Sequence, residues 1–295
     1  CSALRPPVKT NSLGFRDMER REVPLKTHGK RVVLMGDSFT EGVGCSFEET
    51  FAGIVHEHFK EHDIEILNAA AVSYSPKLYY LKMKYFIEKR GLELDHLYLF
   101  LDVSDIQDEV VYEYFTPEEP SNKILHAVSR FFFRHSYIYM KLKLRYKYIQ
   151  KNPYHERSSF WGGVDRFYKL KSEWTLNEKE FERWGEKGLD LALKYMDKLY
   201  RLLEDNNITL HLSIHPWPDQ ILSRQLESVH VESWRDFCKK RDVEFINLFP
   251  LFINEKNTRK VYRNYFIKGD VHWNAAGHEL VADHIIPLME RTVLE

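Results

Sequence analysis

Five short apolar runs along the chain predict buried β-strands. They are RVVLM (31–35), IEIL (64–67), HLYLFL (96–101), ITLHLSI (208–214) and VEFINLF (243–249). Most of these runs are nearly continuous rather than alternating with polar residues, which is typical of strands that other elements cover on both faces.

Helical spacing separates these runs. Residues 180–204 and 275–290 carry apolar side chains at helical intervals, as do residues 48–60. In 48–60, four apolar side chains share one stripe: Phe51, Ile54, Val55 and Phe59. Because strands and helices alternate, we predict an α/β fold. A central, mostly parallel sheet of five strands would lie between two helical layers, as a three-layer α/β/α domain.

The segment from about 109 to 185 interrupts this alternation and predicts an inserted helical or mixed segment. It is rich in aromatic residues, and RFFFRHSYIYMKLKLRYKYIQK (130–151) carries seven Lys or Arg without one acid. Within it, KLKLRYKY alternates with period two, whereas the wider stretch also fits a helix. Two interpretations stay open. One is a partly buried element with a solvated basic face; the other is an insertion over the functional site that contacts an anionic or glycan ligand, or a membrane surface.

The chain shows no repeat, low-complexity tract or Gly/Ser linker that would divide it. We therefore predict one domain over residues 30–295, with the insertion at about 109–185. Residues 1–29 are expected to form an N-terminal extension that packs on this domain.

Composition narrows the classes of partner and compartment. Apolar residues make up 43% of the 295, which allows a large core, and the net charge of −1 gives no general attraction for nucleic acid. No run approaches the roughly 20 apolar residues that span a bilayer, and the N-terminus lacks the features of a signal peptide, so we expect a soluble chain. The opening CSA is either a chain boundary or the processed Cys1 of a lipoprotein.

Neither a disulfide framework nor a metal site is predicted. The three cysteines, Cys1, Cys45 and Cys238, are too few and too scattered for either a framework or a zinc cluster. In VHEHFKEHD (55–63), a zinc-protease motif would require a histidine at the position of Lys60.

The stretch KRVVLMGDSFTEG (30–42) places Ser38 directly after the first long strand. In open parallel sheets the ligand crevice lies beyond the carboxyl ends of the strands, which is where Ser38 is expected. Gly36 permits a tight exit from the strand. Alternatively, this segment caps the following helix through one of three side chains: Asp37, Ser38 or Thr40.

A nucleophilic serine needs a base, and KGDVHWNAAGHELVADHI (268–285) offers one. If Asp270 to His272 is extended, the two side chains face the same way, so the carboxylate can hold the imidazole or both can face one cleft. A helix is predicted to begin directly afterwards, which places His272 on a loop.

These two motifs resemble those of the SGNH hydrolases, also called GDSL-like lipases and esterases. GDSFTEG matches the first family motif and implies that Ser38 is the nucleophile. GDVHWNAAGH matches the last motif and implies His272 as the base and Asp270 as the orienting acid. The commoner family spacing is Asp-x-x-His; the Asp-x-His spacing here resembles a branch linked to polysaccharide O-acetylation. The family implies no cofactor and no metal.

The middle motifs depart from the family pattern at the oxyanion hole. In LNAAAVSYSP (67–76), Ser73 stands where the family has a glycine whose N–H binds the oxyanion. In LFLDVSDIQDE (99–109), Ser104 replaces the family asparagine and Asp102 a glycine. The resemblance therefore implies an oxyanion hole made by the N–H groups of Ser38 and Ser73, with the Ser104 hydroxyl assisting. Further residues are expected to bind substrate or shape the site: Asp37, Asp102, Trp273 and Asn274.

The leading hypothesis is a serine esterase or acyltransferase that works through an acyl-enzyme. A small-molecule or polysaccharide ester is the implied substrate, and the Asp-x-His-Trp-Asn motif favours carbohydrate O-acetyl groups. A catalytically weak glycan-binding or assembly protein, and a lipid esterase with 130–151 as an interfacial lid, are the alternatives. By resemblance, we expect the bacterial periplasm or cell envelope; the oligomeric state is not predicted.

Overall fold

The computed structural model describes residues 8–113, 171–254 and 257–294. Nearly all of them belong to one compact unit, Cys1–Val110 and Tyr168–Glu295, whereas Val111–Phe167 forms a second unit. The predicted basic segment 130–151, its proposed lid role and Cys1 lie outside the described residues. Among the described residues, no helix combines the length and the apolar character required to cross a membrane.

Five parallel strands form the centre of the sheet, as predicted, in the order β4-β3-β5-β6-β7. Two further strands, β1 and β2, extend the β4 edge in antiparallel orientation. These two have two residues each, which is too short to leave a periodic signal in the sequence. The seven strands are β1 Lys9–Thr10, β2 Arg16–Asp17, β3 Lys30–Gly36, β4 Ile64–Asn68, β5 His96–Leu101, β6 Thr209–Ile214 and β7 Glu244–Asn247.

Helices connect the parallel strands, which confirms the predicted α/β alternation. The predicted helices at 48–60, 180–204 and 275–290 correspond to α2, α6 and α11. The α-helices with bounds in the described residues are α1 Ser38–Glu41, α2 Phe51–Phe59, α3 Pro76–Lys84, α4 Asp105–Tyr112, α5 Glu178–Glu180, α6 Glu186–Glu204, α7 Pro218–Leu222, α8 Val229–Lys239, α9 Phe249–Ile253, α10 Thr258–Tyr265 and α11 Ala275–Val293.

The helices pack in pairs against the sheet. α2 contacts β4 and α11, whereas α3 packs along α6, which contacts β6. The buried face of α2 includes Phe51, Val55 and Phe59, three of the four residues on the predicted stripe. Burial of such side chains contributes about 1.5–3 kcal/mol each, so the apolar stripe rather than intrinsic helix propensity fixes this helix.

The register of the sheet brings four connecting segments to one edge. Leu34 of β3 pairs with Asn68 of β4, and Gly36 pairs with Phe100 of β5. Leu101 of β5 in turn pairs with Ile214 of β6. The segments that follow these strands begin at residues 37, 69, 102 and 215, and they therefore meet at the carboxyl edge of the sheet.

His230 on α8 is a buried histidine whose titration is expected to affect stability. It is packed among aromatic rings of Trp174, Trp234 and Phe249, and neither ring nitrogen has a hydrogen-bond partner among the described residues. Burial lowers the pKa of His230 to about 3. Below about pH 6.5 the unfolded chain protonates this ring while the folded chain does not. The stability that the neutral ring contributes is therefore present above this pH and is lost as the pH falls towards 3.

We expect His230→Leu to flatten the pH dependence of stability. Between pH 6 and 4, the free energy of unfolding of the wild type should fall by about 1.4 kcal/mol per pH unit more than that of the variant. Denaturant unfolding across this range measures the difference, with the exposed His62→Gln as control. Parallel curves for wild type and His230→Leu would contradict the buried, neutral state of this ring.

Candidate active site

Ser38 is the first residue of α1 and follows β3 after a single residue, as predicted. Glycine is required at position 36, because a Cβ there would collide with the Thr40 side chain and lie 2.8 Å from the Phe100 carbonyl oxygen. Asp37 caps α1 by accepting a hydrogen bond from the Phe39 N–H at 3.0 Å. The capping role thus belongs to Asp37, and the Ser38 hydroxyl has other partners.

Ser38, His272 and Asp270 form a continuous hydrogen-bonded line. His272 Nε2 lies 2.8 Å from Ser38 Oγ, and His272 Nδ1 lies 2.6 Å from Asp270 Oδ1. Of the two arrangements open for Asp-x-His, the structure has the one in which the carboxylate holds the imidazole. The hydrogen bond from His272 keeps the pKa of Asp270 below its usual value. An ionised Asp270 favours the tautomer with the proton on Nδ1, which leaves Nε2 as an acceptor for the serine proton.

The loop that carries His272 is tied at both ends. The Ile267 N–H donates to the His272 carbonyl oxygen at 2.9 Å, and the Tyr262 hydroxyl donates to the Asp270 carbonyl oxygen at 3.1 Å. Asn274 caps α11 by accepting the Gly277 N–H at 3.0 Å. These contacts hold the His272 loop at the start of α11, and α11 in turn packs on α2.

Two residues expected to bind substrate or shape the site have structural contacts here. Trp273 is fully buried, and its ring packs against Phe39 at 4.9 Å and stacks on Phe252 at 5.7 Å between centroids. The Asn274 side chain is occupied by the α11 cap and by a 2.8 Å bond to the Asn264 carbonyl oxygen. Both side chains are engaged in packing or helix capping, and Trp273 offers no exposed ring face for a sugar.

Ser73 lies in a tight turn at the position that favours glycine. The Tyr74 N–H donates to the Ala71 carbonyl oxygen at 3.1 Å, and Ser73 has a φ of 58°. A positive φ at the third residue of such a turn is a conformation that favours glycine, and it costs a serine roughly 1–2 kcal/mol. Within the described residues, the Ser73 N–H donates no hydrogen bond.

Ser104 follows β5 in a turn that Asp102 organises. The Ser104 N–H donates to Asp102 Oδ1 at 2.7 Å, and the Asp105 N–H donates to the same oxygen at 3.2 Å. Ser104 is buried, and its hydroxyl makes no hydrogen bond within the described part of the chain. Among the described residues, this hydroxyl is therefore a donor without an acceptor at the carboxyl end of β5.

Three buried carboxyl groups form a cluster beside Ser38. Asp37, Asp102 and Asp105 each contribute one oxygen, and these three oxygens all lie within 4.8 Å of one another. Burial raises the pKa of Asp37 and of Asp105 well above the usual range, and the nearby charge of Asp102 raises both further. Like charges at this separation in a buried site disfavour the simultaneous ionisation of all three carboxyl groups.

These carboxylates are also the residues that would ligate a metal ion in the described part of the chain. Their oxygens, however, already accept hydrogen bonds from protein donors. Trp217 Nε1 donates to Asp102 Oδ2 at 2.6 Å, and the Tyr79 hydroxyl donates to Asp105 at 3.2 Å. Asp37 Oδ2 lies 3.0 Å from Ser38 Oγ. The donor pattern fits a proton-sharing cluster better than a cation cage.

Sequence reasoning missed the two tryptophans that hold the end of β5. Trp217 bonds Asp102, and Trp174 Nε1 donates to the Val103 carbonyl oxygen at 2.7 Å. Both partners lie more than 70 residues away in the chain, so no local pattern identifies them. Trp217 lies in the stretch IHPWPDQI (214–221), in which nothing local indicates a contact with Asp102.

No family model matches this chain, and neither does any curated protein. Solved structures, in contrast, do match this chain. An acetyl xylan esterase, AlAXEase, is 16% identical over 88% of this chain and 98% of its own, with a TM-score of 0.50. TesA is 6% identical over 89% and 99%, with a TM-score of 0.51. A GDSL-like lipase from Bacteroides thetaiotaomicron VPI-5482 is 11% identical over 89% of each chain, with a TM-score of 0.45. The first two similarities confirm the three-layer α/β/α fold.

Proposed function

We propose that this chain is a serine esterase or acyltransferase that forms an acyl-enzyme on Ser38. The observation that carries the proposal is the line of hydrogen bonds from Ser38 through His272 to Asp270, assembled from segments 234 residues apart at the ligand-binding edge of the sheet. Buried or exposed histidines are common, but a histidine that bonds both a serine and a carboxylate is the arrangement that activates a hydroxyl.

The first half of the reaction transfers the acyl group to Ser38. His272 Nε2 accepts the proton of Ser38 Oγ as this oxygen bonds to the ester carbonyl carbon, and the carbonyl electron pair moves onto oxygen. The N–H groups of Ser38 and Ser73 and the Ser104 hydroxyl would donate to this oxyanion. When the intermediate collapses, the C–O bond to the alcohol breaks, and His272 returns its proton to the departing oxygen.

The second half releases the acyl group. His272 removes a proton from water, or from an acceptor hydroxyl, as that oxygen attacks the acyl carbon. When this intermediate collapses, the bond between the acyl carbon and Ser38 Oγ breaks, and His272 returns the proton to Ser38 Oγ. Throughout, Asp270 stabilises the imidazolium. The raised pKa of Asp37 favours this proton transfer, because a protonated Asp37 would compete less with His272 for the Ser38 proton than a carboxylate would.

The proposed substrate class is an O-acetylated carbohydrate. Two features support this choice: the Asp-x-His-Trp-Asn motif, by its resemblance to the polysaccharide-acetylation branch, and the shared fold of AlAXEase, described as an acetyl xylan esterase. A protein that binds glycans with little turnover remains the alternative, because Ser73 and Ser104 replace the family's oxyanion residues.

Acetate release from a panel of acetylated mono- and oligosaccharides tests this proposal. We expect release by the wild type and only background release by Ser38→Ala; wild-type rates on acetyl esters should exceed those on octanoyl esters of the same alcohol. Equal release by both proteins contradicts the mechanism. A preference for the longer acyl chain contradicts the substrate class and favours a lipid esterase.

Ser104→Ala is expected to lower kcat by about 10²-fold, because the variant loses one oxyanion donor. The midpoint of thermal unfolding should change little, since the hydroxyl makes no hydrogen bond within the described residues. Steady-state kinetics on the best acetyl ester measures the loss. Ser104→Asn, which supplies an amide donor, should retain more activity than Ser104→Ala; a wild-type kcat in Ser104→Ala would remove Ser104 from the oxyanion hole.

A further inference from the structure

We propose that Glu41 is a positioning residue. It holds the Ala71–Tyr74 turn in the orientation in which the Ser73 N–H can donate a hydrogen bond to the oxyanion. This inference rests on the proposed function. The observation behind it is a hydrogen bond of 2.7 Å from the Val72 N–H to Glu41 Oε2, which links the turn to the helix that begins with Ser38.

The segment after β4 is joined to the segment after β3 by a short series of hydrogen bonds. Sheet-type bonds run from the Ala69 N–H to the Leu34 carbonyl oxygen and from the Ala71 N–H to the Gly36 carbonyl oxygen, at 2.8 and 3.2 Å. Beyond Ala71 the two segments make no further sheet-type bonds, and side chains provide the hydrogen bonds between them. Of the bonds that join these two segments, the one from the Val72 N–H to Glu41 is the nearest in sequence to Ser73.

Asn68 provides the other side-chain link, from the opposite end of the turn segment. Its Nδ2 donates to the Thr40 carbonyl oxygen at 2.8 Å, and its Oδ1 accepts the Ala70 N–H at 3.1 Å. Asn68 is buried and belongs to β4, so it anchors the base of the loop. The tip at Val72 is exposed, and its position depends on Glu41.

The turn needs such support because its backbone is strained. Ser73 adopts a positive φ that serine rarely occupies, and conformations of this kind persist only where surrounding contacts hold them. Rotation of the Val72–Ser73 peptide would relieve the strain and turn the Ser73 N–H away. By fixing the preceding N–H, Glu41 restrains the residue about which this rotation occurs.

Basic groups in turn hold the Glu41 segment. The Arg16 guanidinium donates to the carbonyl oxygens of Glu41 and Gly42, the latter at 2.8 Å. Lys82 Nζ donates to the Ala69 carbonyl oxygen at 2.7 Å, which holds the start of the loop after β4. The Glu41 carboxylate thus holds the turn at Val72 and the Lys82 ammonium holds the preceding residue Ala69, and both bonds restrict the movement of Ser73 relative to Ser38.

Two substitutions at position 41 separate hydrogen bonding from charge. Glu41→Ala removes the acceptor, and we expect kcat to fall by about 10- to 100-fold with KM changed by less than about 3-fold, because a misplaced donor weakens only the transition state. Glu41→Gln keeps an acceptor oxygen and should retain at least about one third of the wild-type kcat. Glu48→Ala, an exposed acid in the same stretch, is the matched control and should behave as the wild type.

Amide hydrogen exchange provides a readout that does not depend on turnover. Exchange at Val72 should accelerate by about 10-fold or more in Glu41→Ala and stay slow in Glu41→Gln. Unchanged exchange in Glu41→Ala overturns the proposed contact, whatever the activity. A wild-type kcat in Glu41→Ala, or equal losses in both variants, overturns the positioning role, whereas a wild type without Ser38-dependent turnover contradicts the proposed function instead.

Discussion

Ser38→Ala is expected to lower kcat for the best acetyl ester by about 10⁴- to 10⁶-fold, with little change in KM. The substitution removes the oxygen that lies 2.8 Å from His272 Nε2. The neighbouring Thr40 hydroxyl cannot replace it, because this residue is fully buried. Initial-rate kinetics at saturating substrate measures the loss.

The matched control for this prediction is Ser223→Ala, which removes a hydroxyl from an exposed serine. Its kcat should equal that of the wild type. Thermal unfolding of Ser38→Ala should also resemble the wild type, since α1 is capped by Asp37 rather than by Ser38. A kcat for Ser38→Ala within 10-fold of the wild type would contradict the role of this serine as nucleophile.

Asp270→Asn is expected to lower kcat by about 10²- to 10⁴-fold. An asparagine can occupy the same space, but it carries no charge to stabilise the imidazolium, and its NH₂ group can favour the tautomer that leaves no acceptor at Nε2. Because His272 Nδ1 lies 2.6 Å from Asp270 Oδ1, loss of the carboxylate acts directly on the proposed base.

Asp283→Asn, at an exposed position on α11, is the control for the loss of a carboxylate and should leave kcat unchanged. Proton NMR adds a second measurement. The wild type should show a downfield resonance from the His272 Nδ1 proton, and Asp270→Asn should lose it. Retention of both the resonance and the wild-type kcat in Asp270→Asn would show that Asp270 does not orient the base.

The five parallel strands can be predicted from the sequence, because each of them depends on the apolar residues of its own short run. The five apolar runs become parallel strands since burial on both faces requires continuous apolar residues. Strands β1 and β2 escape prediction because two-residue strands depend on the neighbouring β4 edge rather than on their own pattern. The predicted stripe on α2 is similarly local, and three of its four residues are fully buried.

The sequence also suggests which residues meet at the site, but not how they are supported. Ser38 and His272 can be paired from two motifs with known spacing. In contrast, the bond from Trp217 to Asp102 and the bond from Val72 to Glu41 exist only once the strands have brought distant segments together. The burial of Trp273 could not be foreseen either, because an aromatic residue beside a reactive histidine fits a substrate platform and a packed core equally well.

The measurement that tests the central claim most directly is covalent labelling with a fluorophosphonate, followed by mass spectrometry to locate the adduct. Attack on phosphorus requires an activated serine and does not require knowledge of the natural ester. The proposed mechanism predicts one adduct on Ser38 in the wild type, none in Ser38→Ala and a greatly slowed reaction in His272→Ala. An unlabelled wild type, or an adduct on another residue that persists in Ser38→Ala, would contradict it.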